Sequence, residues 1–516
     1  QMIKSLHKRQ LFSFSWKNAS RLAGWMSIFI LSNCYATTIL ETENASLCLE
    51  AYLRKDLVSL ENTVDLDSSN EEDKTTYLGI DYSFAFNLDF KDSGPKFYLK
   101  LERNGPFDYD VPLFTHNILM TTEGTVEEYR KEELLPQIEE YWFDTAFLGA
   151  SRLKLGLFTY IVGNGLALNG SFENYSFCVY RETEDFQWRL YYCRPDLVYK
   201  NHLGPRIRQE EGIDYNHNSS NFFAFDAKFQ KGKNEFWPYI GILADYTSEG
   251  KRNNAFTAPI KRDLLGTIGI YYTLKQDKLS ANLELARNFG KGRSESPDFE
   301  DVEHSGYLIF AGLDYEINKF KPFINLLVAS GNKVPLDVAL NGDDKLTSGK
   351  NRAFSYFSPL NNNFSDSIAA CYTYRPVVAT GAGYGLQYGL PRPATFSPSD
   401  FDNLIMPFIG FDFQFTKKLL FSLYGYYIRS FQKGVGLLNA KAKRLSADLG
   451  KEIDLFIDYR VNEKLLISFL TAYFFPGDYY KEIREDITGS LFSPLVRQDG
   501  CVDPAFQIEL SLELKF

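Results

Sequence analysis

Seven charged residues stand within segments otherwise rich in apolar residues, and the chemistry they suggest is electrostatic. They are the acids Asp144, Glu452, Asp454 and Asp458 and the bases Arg152, Lys154 and Arg189. Charged side chains taken out of water are costly unless they are paired, so these residues must meet water or an opposite charge. Two interpretations stay open. The charges form a ladder of salt bridges between strands, or they line a path for a dissolved solute, in which the three bases favour an anion.

Catalysis is not expected from the titratable residues. The histidines are His7, His116, His202, His217 and His304, and the last four fall in predicted loops. Their spacing assembles no Ser–His–acid arrangement, and the six cysteines lack zinc-like spacing. The acidic stretches 65–73 and 295–303 lack an EF-hand pattern and are interpreted as solvated loops. The sequence therefore predicts no enzyme, no metal and no cofactor.

The composition narrows the class of protein. The chain has 516 residues, of which 44% are hydrophobic and 16% aromatic, and its mean hydropathy is -0.27. This excludes a helical membrane protein, whereas aromatic residues are favoured in strands and at membrane interfaces. A net charge of -10 argues against nucleic acid as a partner.

The N-terminal segment has the pattern of a signal peptide. Basic residues precede a short apolar run over 22–36, which is too short for a transmembrane helix. We predict that residues 1–36 form a signal peptide cleaved after Ala36, and that residues 37–516 form one domain. A lipid anchor at Cys34 and a buried helix are the alternatives.

About eighteen segments of roughly ten residues alternate between apolar and polar positions, the length at which a tilted strand crosses a bilayer. In the last segment, apolar residues occupy every second position from Phe506 to Phe516. The predicted strands are 45–54, 76–88, 95–102, 137–148, 151–160, 170–181, 184–194, 219–230, 234–247, 263–276, 279–289, 305–317, 319–330, 404–415, 418–431, 447–460, 463–475 and 504–516.

The connections between these strands alternate in length. Short connections are predicted at 91–94, 149–151, 182–185, 231–233, 275–278, 317–319, 416–418 and 462–464. Long polar ones are 55–75, 103–136, 195–218, 248–262, 290–304, 331–403 and 476–503, with 161–169 and 432–446 of intermediate length. This asymmetry is typical of an all-β transmembrane antiparallel barrel of the cell outer membrane, with short periplasmic turns and long extracellular loops. A soluble all-β array is the alternative.

The last predicted strand should close the barrel against the first, with its apolar side chains facing outer-membrane lipid. A terminal Phe516 also resembles the signal through which the barrel assembly machinery recognises such chains. Eighteen strands give a backbone diameter of roughly 35 Å, too wide for side chains to fill. The loop 331–403 either lies on the surface or folds into the lumen. Cys371 and Cys501 fall in loops on one side of the barrel, where they could pair.

Two stretches resemble the alginate export family of outer-membrane β-barrel porins. Residues 449–481 carry the family's glycine, acidic strand and aromatic strand ending near Pro-Gly-Asp. The matching residues are Gly450, Glu452, Asp454, Tyr459, Phe474, Phe475, Pro476, Gly477 and Asp478. Residues 141–170 resemble the family's paired strands with a glycine-rich corner at Gly163 and Gly165. Leu157 follows Gly156, where the family usually has an arginine.

The resemblance implies a porin that exports a polysaccharide, with periplasmic polysaccharide export components as partners. Together with the barrel pattern, it predicts passive passage of a polysaccharide or another hydrophilic solute through the lumen. A general diffusion porin without a dedicated substrate is one alternative. A plugged barrel that acts as an adhesin or receptor through its outer loops is another.

Overall fold

Eighteen antiparallel strands close into a single barrel. The computed structural model describes residues 37–61, 75–91, 94–103, 137–170, 176–194, 221–245, 260–294, 301–333, 349–354, 403–438, 441–486 and 502–515. The predicted signal peptide, Cys371 and Cys501 lie outside the described residues, as does most of the loop 331–403.

The barrel strands follow one another in chain order around the wall. They are β2 (Ala45–Glu61), β3 (Thr75–Phe90), β4 (Lys96–Arg103), β5 (Gln137–Ala146), β6 (Arg152–Leu157), β9 (Ser176–Glu182), β10 (Phe186–Cys193), β11 (Asn221–Lys231), β12 (Asn234–Asp245), β13 (Ile260–Gln276), β14 (Leu279–Ser294), β16 (Tyr307–Tyr315), β17 (Phe320–Ala329), β19 (Leu404–Thr416), β20 (Leu419–Ser430), β23 (Asp448–Arg460), β24 (Leu465–Pro476) and β25 (Ala505–Lys515).

Eight smaller elements of the described residues are not among the eighteen strands of the wall. They are β1 (Thr37–Glu41), β7 (Tyr160–Val162), β8 (Leu168–Gly170), β15 (Val302–His304), β18 (Lys350–Asn351), β21 (Val435–Leu438), β22 (Lys441–Arg444) and the helix α1 (Asp478–Asp486). No helix within the described residues is both long and apolar enough to cross a membrane.

The barrel closes where β2 pairs with β25, from Tyr52 opposite Lys515 to Glu61 opposite Phe506. Each predicted strand corresponds to one barrel strand, so the predicted fold class and strand count are confirmed. The first strand is longer than predicted, since it continues to Glu61.

The two faces of the wall differ in polarity, as β11 illustrates. Phe223 and Phe225 are 47% and 45% exposed on the outside, whereas Ala224 and Asp226, which alternate with them, are buried on the inside. A closed barrel pairs every strand edge, and an apolar exterior matches lipid rather than water. The chain is therefore a barrel of the cell outer membrane, as predicted.

Short turns join the strands at one end of the barrel, here called the short-turn end. Several of them need a backbone with positive φ: Asp277 and Asn318 adopt φ of 50° and 54°, and Gly232 adopts 62°. Such tight turns suit these residue types. The strand ends that flank the longer connections all lie at the opposite, long-loop end, so the predicted alternation of connection lengths is confirmed.

The strand β1 was not predicted. It pairs with β2 from Thr37 opposite Leu49 to Glu41 opposite Ser46. The partner β25 ends at Lys515, opposite Tyr52, so this part of β2 has no partner from β25. β1 therefore covers the part of β2 that extends past its pairing with β25.

Two cysteines on neighbouring strands are offset in register. Cys178 lies opposite Tyr191, and Cys193 lies opposite Ser176, on the neighbouring strands β9 and β10. Both cysteines are buried and form no disulfide. The half-buried Cys48 is also a free thiol.

Candidate functional site

All seven charged residues singled out in the sequence lie on the inward face of the wall, in two separate groups. Asp144 on β5 is opposite Lys154 on β6, and Arg152 and Arg189 are both opposite Tyr180 on β9. Glu452, Asp454 and Asp458 lie on β23, on the other side of the lumen. The structure brings the first four together and keeps the three acids of β23 apart from them.

Arg152 and Asp144 form an ion pair near the short-turn end. Arg152 Nε lies 2.7 Å from Asp144 Oδ1, and the Tyr180 hydroxyl donates to Asp144 Oδ2 at 2.5 Å. A further bond joins Arg152 Nη2 to the carbonyl oxygen of Gly94 at 3.2 Å. The pair ties three strands to a turn.

Lys154 lies between aromatic rings. Its Nζ is 4.1 Å from the centre of the Trp142 ring and 4.4 Å from that of Phe158. Its nearest carboxylate is Glu140, 3.8 Å away, which also accepts a 2.8 Å bond from Trp142 Nε1. The ammonium is thus held by cation–π attraction together with one carboxylate.

Arg189 has the same kind of surroundings. Its Nε lies 3.0 Å from Asp226 Oδ2, and its guanidinium is 4.6 Å from the Tyr160 ring centre and 5.2 Å from that of Trp237. Trp237 Nε1 donates to Asp226 Oδ1 at 2.6 Å, and the Tyr160 hydroxyl donates to Asp226 Oδ2. These donors satisfy a fully buried carboxylate.

A segment after β6, residues 158–170, turns into the barrel; we call it the inward hairpin. Its strands β7 and β8 pair with each other. Arg189 Nη2 donates to the carbonyl oxygen of Ile161 at 2.8 Å, and the amide of Asn164 donates to Glu284 Oε2 at 3.1 Å. The wall therefore holds the hairpin by its backbone.

Glycines make room for the inward hairpin. A Cβ at Gly241 on β12 would lie 2.8 Å from Leu168 Cδ2, and a Cβ at Gly163 would lie 2.9 Å from Tyr271 Cβ. Gly163 also has φ of 60°, which few other residues adopt. The sequence predicted a glycine-rich corner here but not its inward course. The sequence does contain a sign of the inward course. Residues 158–168 are mostly apolar, whereas the long connections are polar.

Tyr160 keeps its proton in this setting. Burial raises the pKa of its phenol well above the ordinary value, and the Asp226 carboxylate acts in the same direction. The protonated hydroxyl is the donor that Asp226 needs, so the base of the hairpin and the wall share one hydrogen-bond network.

The bases of the inner wall are paired more completely than its acids. Arg54, Lys96, Lys100, Arg152, Lys154, Arg189, Lys228 and Lys321 each have a carboxylate within 4.0 Å. Asp412 on β19 and the half-buried Asp458 have no ion pair among the described residues, and the same holds for one inward base, Arg460 at the end of β23. The inward face of the wall from β19 to β23 therefore carries a net negative charge.

At the long-loop end, the inward face from β16 to β25 is apolar and covered. Phe354, Leu445 and Tyr480, from three different connections, are buried in one cluster with the strand residues Met406 and Phe474. The sequence predicted these connections as outer loops and gave no sign of this packing.

A buried polar cluster holds the described part of the loop 331–403. His304 Nε2 lies 2.7 Å from Asp263 Oδ1, and Asn351 Nδ2 lies 3.4 Å from His304 Nδ1. Asn332 Nδ2 donates to Asn351 Oδ1 at 2.8 Å. Residues 349–354 are therefore fixed against the barrel; elsewhere in this predicted loop only residues 331–333 and 403 are described.

Metal ligation was not expected. No group of three or more His, Cys, Asp or Glu residues with a geometry for a metal ion occurs in the part of the chain that the structure covers.

No protein-family model matches the chain, and no curated protein matches its sequence. Among solved structures, OccK11 (OpdR) of Pseudomonas aeruginosa is similar with a TM-score of 0.46 and 9% identity, covering 91% of this chain and 96% of its own. OccAB4 of Acinetobacter baumannii has a TM-score of 0.46 and 8% identity, covering 92% and 98%. A BenF-like porin of Pseudomonas fluorescens Pf-5 has a TM-score of 0.47 and 9% identity, covering 92% and 99%.

Proposed function

We propose that the barrel is a passive channel for hydrophilic solutes, with a preference for cationic or neutral solutes over polyanions. The observation that carries this proposal is the exposure to water and the ion pairing of the charged side chains on the inner wall. The inward side chains of Lys96 and Lys321, next to short turns, are 42% and 45% exposed although each has a carboxylate partner. Charged groups stay accessible inside a barrel only where water reaches them, so water entry at the short-turn mouth of the lumen is supported.

The selectivity follows from the pairing of the charges. The three bases singled out for an anion path, Arg152, Lys154 and Arg189, all have carboxylate neighbours. Asp412 and Asp458 have no basic partner within the described residues. An acidic excess concentrates cations in the lumen and repels polyanions.

The test is the conductance of the refolded full chain in a planar bilayer under a KCl gradient. We expect a steady conductance whose reversal potential shows preference for K⁺ over Cl⁻. A folded barrel without conductance would contradict the channel, and an anion preference would contradict the proposed selectivity.

A polysaccharide cargo is the finer form of the proposal, and the resemblance to alginate export proteins is its support. Adding an oligouronate and a neutral oligosaccharide to the same bilayer separates the cases. Block by the oligouronate supports an acidic polysaccharide, with periplasmic export components as partners. Absence of block by either sugar favours a general diffusion porin.

A plugged barrel acting as an adhesin or receptor is the second candidate. It is favoured by the inward hairpin and by the buried cluster at the long-loop end. It predicts no conductance in the intact chain and binding to a partner through the long-loop end. In either case, assembly through the C-terminal strand remains part of the proposal.

A further inference from the structure

Three aromatic side chains meet on the inner wall; we call them the aromatic patch. They are Phe323 on β17, Tyr424 on β20 and Phe456 on β23. The ring centres of Phe323 and Tyr424 are 4.9 Å apart, and those of Tyr424 and Phe456 are 5.2 Å apart. All three residues are only partly buried. They therefore present apolar surface to the lumen.

A glycine brings two of these rings together. Gly410 on β19 stands in register between Phe323 and Tyr424. A Cβ at this position would lie 2.6 Å from both Phe323 Cζ and Tyr424 Cδ1. The two rings meet across the glycine, which makes the patch continuous over four strands.

Two carboxylates lie beside the patch. Tyr424 donates its hydroxyl to Asp412 Oδ1 at 3.0 Å, and Asp458 lies on the same face of β23 as Phe456. Two bases flank these acids: Lys321 is opposite Asp412 but has its Nζ 3.3 Å from Asp314, and Arg460 ends β23 two positions beyond Asp458. Within the described residues, no lysine or arginine lies over the rings of the patch.

On the opposite wall, two sites combine aromatic rings and a carboxylate with a cation of the protein. Lys154 lies over Trp142 with Glu140 beside it, and Arg189 lies over Trp237 with Asp226 beside it. Each of these sites combines an aromatic ring, a carboxylate and a cation. The aromatic patch has the rings and the carboxylates of the same arrangement, but no described residue supplies a cation over its rings.

We infer that the aromatic patch, with Asp412 and Asp458, is a subsite for organic cations that carry an alkylammonium group. The inference rests on the proposed channel function. Ring faces attract a cation, and alkyl groups on the nitrogen match the apolar surface. An anion would be repelled by the carboxylates, and a small metal ion would have to give up water that the rings cannot replace.

The test measures block of the K⁺ current by tetraethylammonium in a planar bilayer. Phe456→Leu removes a ring without changing a charge. We expect the half-blocking concentration to rise about tenfold, with the K⁺ over Cl⁻ preference unchanged. Asp412→Asn should raise it as well and should also lower the cation preference. The matched control is Phe225→Leu on the lipid face, which should leave block unchanged.

The outcomes separate the two proposals. If current flows but tetraethylammonium blocks the native chain and Phe456→Leu equally, the subsite is wrong and the channel stands. If no current flows, the channel is wrong, and binding of tetraethylammonium to the detergent-solubilised chain is measured by calorimetry instead. Equal binding to the native chain and to Phe456→Leu, or no binding, then overturns the subsite.

Discussion

At the scale of single residues, the partner of a charge decides its role. Arg189 and Asp226 are opposite each other on β10 and β11 and share their surroundings with the inward hairpin. The sequence predicted inward charges correctly because alternation fixes the face of each residue. It could not predict which acid pairs with Arg189, because that depends on the register between strands and on a hairpin that arrives from elsewhere.

Arg189→Ala tests this pairing. It leaves the buried Asp226 without its cation and removes the bond to the Ile161 carbonyl. Breaking a buried pair from one side should lower the free energy of unfolding by about 3 kcal/mol. Guanidinium unfolding in lipid vesicles, followed by tryptophan fluorescence, measures the change.

The matched control is Arg181→Ala, an exposed arginine on β9, which should change stability by less than about 0.5 kcal/mol. Equal loss in both variants would contradict the assigned role of the Arg189 pair.

At the scale of elements, strands and turns were predictable, whereas the inward segments were not. Lipid outside and polar groups inside impose a two-residue period, and residues such as Gly232 mark tight turns. The course of the inward hairpin depends instead on Gly241 and on the backbone donors and acceptors of a distant wall. Such contacts leave no periodic signal in the sequence.

Gly241→Val tests how the inward hairpin is seated. The added side chain would overlap Leu168, and overpacking of this kind costs about 1–3 kcal/mol. We expect the hairpin to be displaced from the wall and the single-channel conductance to increase.

Gly425→Val on β20 is the control, because a Cβ there meets nothing within 4 Å. It should leave conductance unchanged. If Gly241→Val folds and conducts like the native chain, the hairpin does not narrow the lumen.

At the scale of the whole molecule, the seam between first and last strand determines whether the barrel is closed. Arg54 on β2 reaches across it, with Nη2 2.7 Å from Glu509 Oε1, and also pairs with Asp56 at 2.7 Å. The predicted closure is confirmed, but the role of Arg54 was missed, because the sequence alone gave no register for the seam.

Arg54→Ala should weaken the seam. Its side chain is 37% exposed, so water screens the pair and the expected loss is about 1 kcal/mol. The temperature at which the folded band converts to the unfolded band in a detergent gel should fall. Lys515→Ala, which removes a base that is 68% exposed, should not lower it; an equal fall would contradict the special role of Arg54.

The strand β1 has a consequence for processing of the chain. The predicted cleavage after Ala36 would keep Thr37–Glu41, the described length of β1, on the mature chain. A cut a few residues later would instead uncover the edge of β2 between Ser46 and Leu49. An uncovered edge recruits strands from other molecules. The choice of cleavage site would then decide whether the finished barrel stays separate from its neighbours.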